Sequence, residues 1–185
     1  MEVAKVHQQM RPLLLTLGDY RNLTLNGIKR LSYLTLLFPS SFNEKLCEQL
    51  LQHLGKLLEA SVAQGGKIDA ELEKMAAIVS MFHQIPAASA RWLHRLSKVV
   101  FQIELALQVE ASSPFREPLL KFLLRYPSES VAMFLNDANI KEQQWSRYFE
   151  FVLKNKEGEP IREILQNSTA RLIGNILSKL CKFNK

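Results

Sequence analysis

One five-residue pattern recurs along the chain. A large apolar residue stands before a proline, and small or polar residues follow, in Leu37-Phe38-Pro39-Ser40-Ser41, Gln84-Ile85-Pro86-Ala87-Ala88 and Arg125-Tyr126-Pro127-Ser128-Glu129. Proline pushes its predecessor out of the α region, so a helix that enters each pattern ends there. The residues behind the proline favour a new helix start. Pro39 and Pro86 are 47 residues apart, and Pro86 and Pro127 are 41 apart. Two helices joined by a tight turn and repeated every ~40 to 47 residues have the period of HEAT or armadillo arrays.

The segments between the prolines carry helical period. Leu46, Cys47, Leu50, Leu51, Leu54, Leu57, Leu58 and Val62 form one stripe, with Glu44, Lys45, Glu48, Gln49 and Gln52 away from it. Further stripes run through Leu72, Met75, Ala76, Val79 and Phe82, through Leu93, Leu96, Val100, Ile103 and Leu107, and through Trp145, Phe149, Val152 and Leu153. Strand alternation persists nowhere. The expected fold class is all-α: HEAT-like helical hairpins stacked as an α-solenoid, in about four pairs. The pairs are expected at residues 23–38 with 42–62, 70–85 with 88–110, 115–126 with 129–138, and 140–155 with 160–181. Ser41-Phe42-Asn43-Glu44 has the form of a capping box, and Asn139 is expected to cap the helix that follows it. Gly18 and Gly65-Gly66 mark breaks between helices. Residues 1–17 and 172–183 are rich in apolar residues and do not read as the polar caps of a complete array. The whole of 1–185 is therefore expected to be one segment of a longer solenoid.

Composition excludes several classes. Hydrophobic residues make up 47% and charged residues 23%, which is globular rather than disordered. No apolar run reaches the ~18 residues that a membrane span needs, and the first residues do not read as a signal peptide. Cys47 and Cys181 have no partner motif and are expected to be thiols. The formal charge is +6, but the basic residues are scattered and no aromatic residues interleave them, so no sequence-specific nucleic-acid contact is expected.

No catalytic constellation is found. His7, His53, His83 and His94 match no metal-ligand spacing. Gly65-Gly66-Lys67-Ile68 fails as the end of a phosphate-binding loop, since Ser61 stands where the first glycine belongs and Ile68 offers no hydroxyl. No enzyme activity, metal or cofactor is expected. Trp92 and Trp145 each open a helical stripe and fit either a core or an exposed partner anchor. In Ala111–Ser130, Ser113 is placed to cap a helix with Pro114 at its first position. Pro118 then implies a kink or a later start, and Pro127 repeats the turn motif. The third pair should be short, about twelve residues and then about ten. Arg116 and Glu117 are adjacent and face different directions, so they read as a brace between repeats rather than as a pair.

Three stretches resemble one family: RPLLLTLGDYRNLTLNGIKRLSYLTLLFPSSFNEKLCEQLLQHL at 11–54, SPFREPLLKFLLRYPSESV at 113–131 and QQWSRYFEFVLKN at 143–155. They resemble the TRRAP family, the transformation/transcription domain-associated proteins, over about residues 8–165. After Asn167 the sequence departs from that pattern. The resemblance implies a segment of a very long helical-repeat scaffold related to the phosphatidylinositol-3-kinase-like kinases, away from a kinase-like end that lacks the residues for phosphoryl transfer. It also implies a nuclear subunit of histone acetyltransferase assemblies such as SAGA, with acetyltransferase-complex subunits and acidic transcriptional activators as protein partners and no membrane. Partner-contacting residues do not follow from it. The alternative is an importin-like solenoid, which would need a ladder of Trp and Asn on one inner face.

Overall fold

The computed structural model describes residues 21–64 and 69–170, with positions 4, 5, 8, 11, 12, 15 and 19. Among the described residues from 21 onward the helices run in order: α1 (Leu25–Leu37), α2 (Glu44–Ala63), α3 (Asp69–Gln84), α4 (Trp92–Leu107), α5 (Arg116–Leu123), α6 (Pro127–Phe134) and α7 (Gln143–Lys154). A further helix, α8, occupies 159–170. No strand occurs among the described residues. The chain divides into two compact units, Met1–Phe122 and Leu123–Lys185.

In the first unit α1 packs on α3, α2 packs on α4, and α2 also touches α3. The first helices of two hairpins thus form one layer and the second helices the other, which is the way HEAT pairs stack. The stripes read from the sequence supply most of the buried faces, except that Val62, at the end of the α2 stripe, is exposed. Ile28 and Leu31 on α1, Leu50 and Leu54 on α2, Met75, Ile78 and Phe82 on α3, and Leu96, Val100 and Ile103 on α4 are each no more than 1% exposed. Removing one such side chain from water contributes ~1.5–3 kcal/mol. Phe82 lies at the middle of this core, 6.5 Å from the Trp92 ring and 5.9 Å edge-on from Phe122. Gln84 links the two first helices, accepting from Ser32 Oγ at 2.9 Å and from Thr35 Oγ1 at 3.2 Å.

Local chemistry sets some of the turns and tertiary packing the others. Thr24 caps α1 by accepting from the Gly27 amide at 3.1 Å. α1 ends before Phe38, and Pro39 opens a 3-10 turn over Pro39–Ser41. That turn takes Ser41 out of the capping position assigned to it. Asn43 caps α2 instead, accepting from the Lys45 amide at 3.0 Å. After Ile85, two successive turns delay α4 to Trp92, four residues later than expected, with Ala88 donating to the Ile85 carbonyl and Trp92 to the Ser89 carbonyl. α4 closes on Gln108, in the left-handed region at φ 55°. α5 begins at Arg116, so Pro114 precedes the helix rather than opening it. Pro118 is the third helical residue, in the first turn, where a missing N–H costs nothing. The later start is thus what occurs, and no kink is needed.

Gly55 lies in the interior of α2, and a Cβ built there meets nothing within 4 Å. Gly55→Ala is expected to stabilise the chain by ~0.5–1 kcal/mol, because alanine loses less backbone entropy in a helix. A higher urea midpoint with an unchanged slope would show it.

In the second unit Pro127 is the first residue of α6, and the Ser130 hydroxyl donates to the Leu123 carbonyl at 2.9 Å. α5 and α6 have eight residues each, shorter than the twelve and ten expected. Phe134 stacks on Phe149 at 4.8 Å and meets Trp145 edge-on at 5.9 Å. Asn139, expected as a helix cap, is 6% exposed and donates from Nδ2 to the Met133 carbonyl at 2.7 Å. α7 therefore starts later, at Gln143, with no side-chain cap. Pro160 is the second residue of α8. The expectations for Gly18, Gly65-Gly66, Cys181 and residues 171–181, and for most of residues 1–17, lie outside the described residues.

Candidate functional site

The second helices of the first unit, α2 and α4, present a graded face. At its start, Glu44 and Glu48 lie one turn apart on α2, opposite Arg91 and Arg95, which lie one turn apart where α4 begins. Arg91 Nη2 is 2.7 Å from Glu44 Oε2. Arg95 holds Glu48 with two bonds, at 2.8 and 2.9 Å. That bond holds the Glu48 carboxyl below its ordinary pKa and Arg95 above its own. Both pairs join residues 47 apart, the interval between Pro39 and Pro86, so the ladder is the repeat register expressed in charges. Exposed pairs contribute only ~0–1 kcal/mol, and their value here is alignment. Both guanidinium groups lie over the Trp92 ring, with their central carbons 5.0 and 4.8 Å from its centroid. It is 1% exposed, and Trp145 is 3% exposed, so both tryptophans are core residues.

Beyond the ladder, α2 and α4 leave two open recesses. The first, about 430 Å³, is lined by Gln52, His94 and Lys98 among others. The second, about 550 Å³, shares Gln102 with it and is lined by Leu58, Val62, Leu105 and Ala106, with Glu59 at its edge. Val62 is 56% and Leu105 63% exposed. The face therefore runs from ion pairs through a polar and basic stretch to an apolar end.

The Arg116–Glu117 pair falls at a different place, the corner between α4 and α5. Arg116 is half-buried and Glu117 exposed. Glu104 on α4 is 3% exposed. The Ser113 hydroxyl donates to its Oε1 and in turn accepts from the Phe115 amide at 3.2 Å. Burial pushes the Glu104 carboxyl above its ordinary pKa, while the Ser113 bond and the Arg116 charge oppose that shift. A raised folded pKa means that this carboxyl's contribution to stability is complete below the ordinary carboxylate range and is lost as pH rises through the folded value. Glu104→Gln has no proton to lose. Its Tm is expected to exceed that of the parent at pH 8 and to converge with it near pH 4, as thermal melts at the two pH values would show.

Pro39, Pro86 and Pro114 are exposed, and Pro118 and Pro127 are half-buried. His53 is 2% exposed on α2, and burial lowers its pKa, whereas His94 is exposed. Among the described residues no group of His, Cys, Asp and Glu is arranged to hold a metal, and no helix is long and apolar enough to cross a membrane.

The Tra1 HEAT repeat ring region matches residues 2–183. The chain belongs to the Tra1/TRRAP family. A transformation/transcription domain-associated protein of Danio rerio is 44% identical over 184 residues, covering 94% of this chain and 5% of its own length. That of Mus musculus is 45% identical over 181 residues, covering 96% and 7%. A more distant relative, the SAGA complex/NuA4 acetyltransferase complex subunit Tra1 of Schizosaccharomyces pombe, is 29% identical over 169 residues, covering 89% and 5%. The chain thus spans well under a tenth of the length of these Tra1/TRRAP relatives.

Within this Tra1/TRRAP segment the α2–α4 ladder and the buried Glu104 are what sequence reading passed over. The ladder had a signal: Glu44 and Glu48 each find an arginine at the interval already set by the prolines. Glu104 had a weaker one, since it sits beside Ile103 on the buried side of a stripe, where a charge needs a partner.

Proposed function

We propose that this chain is a non-catalytic scaffold segment of a nuclear transcription coactivator subunit, working in histone acetyltransferase complexes of the SAGA and NuA4 kind. The match to the Tra1 HEAT repeat ring region over residues 2–183 carries the reading. Yeast relatives named as SAGA and NuA4 acetyltransferase complex subunits support it. One layer of helices packs on neighbouring repeats, while the α2–α4 face is open to other proteins. Its apolar end suits the leucine or phenylalanine side chains of an acidic, amphipathic activation segment, and the exposed Lys56 and Lys98 suit that segment's carboxylates. Arg116, acting on Glu104, would brace the corner, with Glu117 facing solvent. An importin-like carrier has less support, because its Trp–Asn ladder needs exposed tryptophans and Trp92 and Trp145 are buried.

The test is a fluorescence-anisotropy titration of the full chain with a labelled acidic amphipathic peptide at low salt. Saturable binding is expected, weakened roughly tenfold or more by Leu105→Glu with Lys98→Glu. No binding at low salt, or binding indifferent to the double substitution, would remove this face from the proposal.

A further inference from the structure

We propose that Ser113 is a phosphorylation site for a proline-directed protein kinase, and that its phosphate unlocks the corner between α4 and α5. Ser113-Pro114 is the only Ser-Pro or Thr-Pro pair in the 185 residues. It lies in the connection after Leu107, where Gln108, Ala111, Ser112 and Pro114 are exposed. Proline holds Ser113 extended, at φ −62° and ψ 121°, so the backbone already has the form of an extended peptide substrate.

The hydroxyl is also the keystone of this corner. It is a donor to the buried Glu104 carboxylate and an acceptor for the Phe115 amide that begins α5. In the transfer, a bond forms between Ser113 Oγ and the γ-phosphorus of ATP. The γ-phosphorus bond to the bridging β–γ oxygen breaks, ADP leaves, and the hydroxyl proton passes to the kinase's catalytic carboxylate. The product carries close to two negative charges at neutral pH and no proton to donate. Glu104 then loses its donor and faces a dianion at contact distance, with Glu110 in the same connection. Two effects oppose this: the amide end of α5 and the Arg116 charge both favour a phosphate there. The repulsion outweighs them. Glu104 is buried and poorly screened, whereas the favourable end of α5 is partly open to water. The connection is expected to leave α4.

The full chain is incubated with ATP, magnesium and a purified proline-directed kinase, and the product is read by mass spectrometry and amide hydrogen exchange. Phosphate is expected on Ser113 in the parent and on the hydroxyl of Ser113→Thr. It should be absent in Ser113→Ala and at least tenfold slower to appear in Pro114→Ala. Amides of 109–116 in the modified chain are expected to exchange ~10 times faster, the sign of a locally opened segment. If a peptide of residues 106–120 is modified and the folded chain is not, the corner hides Ser113 and the site is refuted. Modification without faster exchange would refute the unlocking.

Discussion

Replacing Phe82 by alanine is expected to destabilise the first unit by ~4 kcal/mol, a large share of the ~5–15 kcal/mol that holds a domain of this size together. Phe82 is completely buried and touches two other rings, Trp92 and Phe122. It stands on α3, the helix packed against both α1 and α2. Truncation loses the transfer free energy of the ring and leaves a void walled by two rigid aromatic groups that cannot collapse into it. Both effects act in the same direction. Urea unfolding followed by far-ultraviolet circular dichroism measures the loss as a lower midpoint at constant slope. Phe82→Leu keeps much of the volume and should fall between the parent and the alanine variant. An alanine variant within 1 kcal/mol of the parent would mean that this aromatic cluster is not the centre of the unit.

Gly158→Ala is expected to destabilise the second unit by ~2–4 kcal/mol, although it adds one methyl group to a position next to the surface. Gly158 ends a 3-10 turn after α7 and is buried. A Cβ built on it falls 2.0 Å from the Val152 carbonyl oxygen and 3.2 Å from its carbon. That oxygen belongs to the last turn of α7 and cannot swing aside like the tip of a flexible side chain. The turn over Lys156–Gly158 must lift instead. Arg162, which donates from Nη1 to the Leu153 carbonyl at 2.9 Å and the Asn155 carbonyl at 2.6 Å, loses its acceptors when that happens. Amide exchange over 143–162 should rise sharply in Gly158→Ala and stay unchanged in Gly55→Ala. Two glycine-to-alanine changes thus have opposite signs, decided by the space around each Cβ.

Much of the fold was legible because its causes are local. Pro39, Pro86 and Pro127 each stop or start a helix through sterics with their immediate neighbours, and the 47-residue interval between the first two reappears in the Glu44–Arg91 and Glu48–Arg95 pairs. Most of the residues in the stripes on α2, α3 and α4 are buried because a 3.6-residue period aligns them whatever they pack on. The candidate interaction face was less legible. Val62 belongs to the stripe of α2 and Leu105 to no stripe, and only the placing of α2 beside α4 leaves both exposed on one surface.

The caps show the boundary between the two kinds of information. Ser41 and Asn139 both have the residue type and spacing of an N-cap, yet neither serves as one. A 3-10 turn occupies Ser41, and the Met133 carbonyl claims Asn139. By itself, then, the amino-acid order determined that this is an all-helical chain of hairpins with a HEAT-like period, since helix propensity, proline sterics and apolar spacing act over a few residues. Tertiary structure alone decided which polar groups are buried, which partners they take and which faces stay open. A buried donor or carboxylate must be satisfied by whatever group folding brings to it, and for Glu104, Ser113 and Arg116 those groups come from two helices and the connection between them.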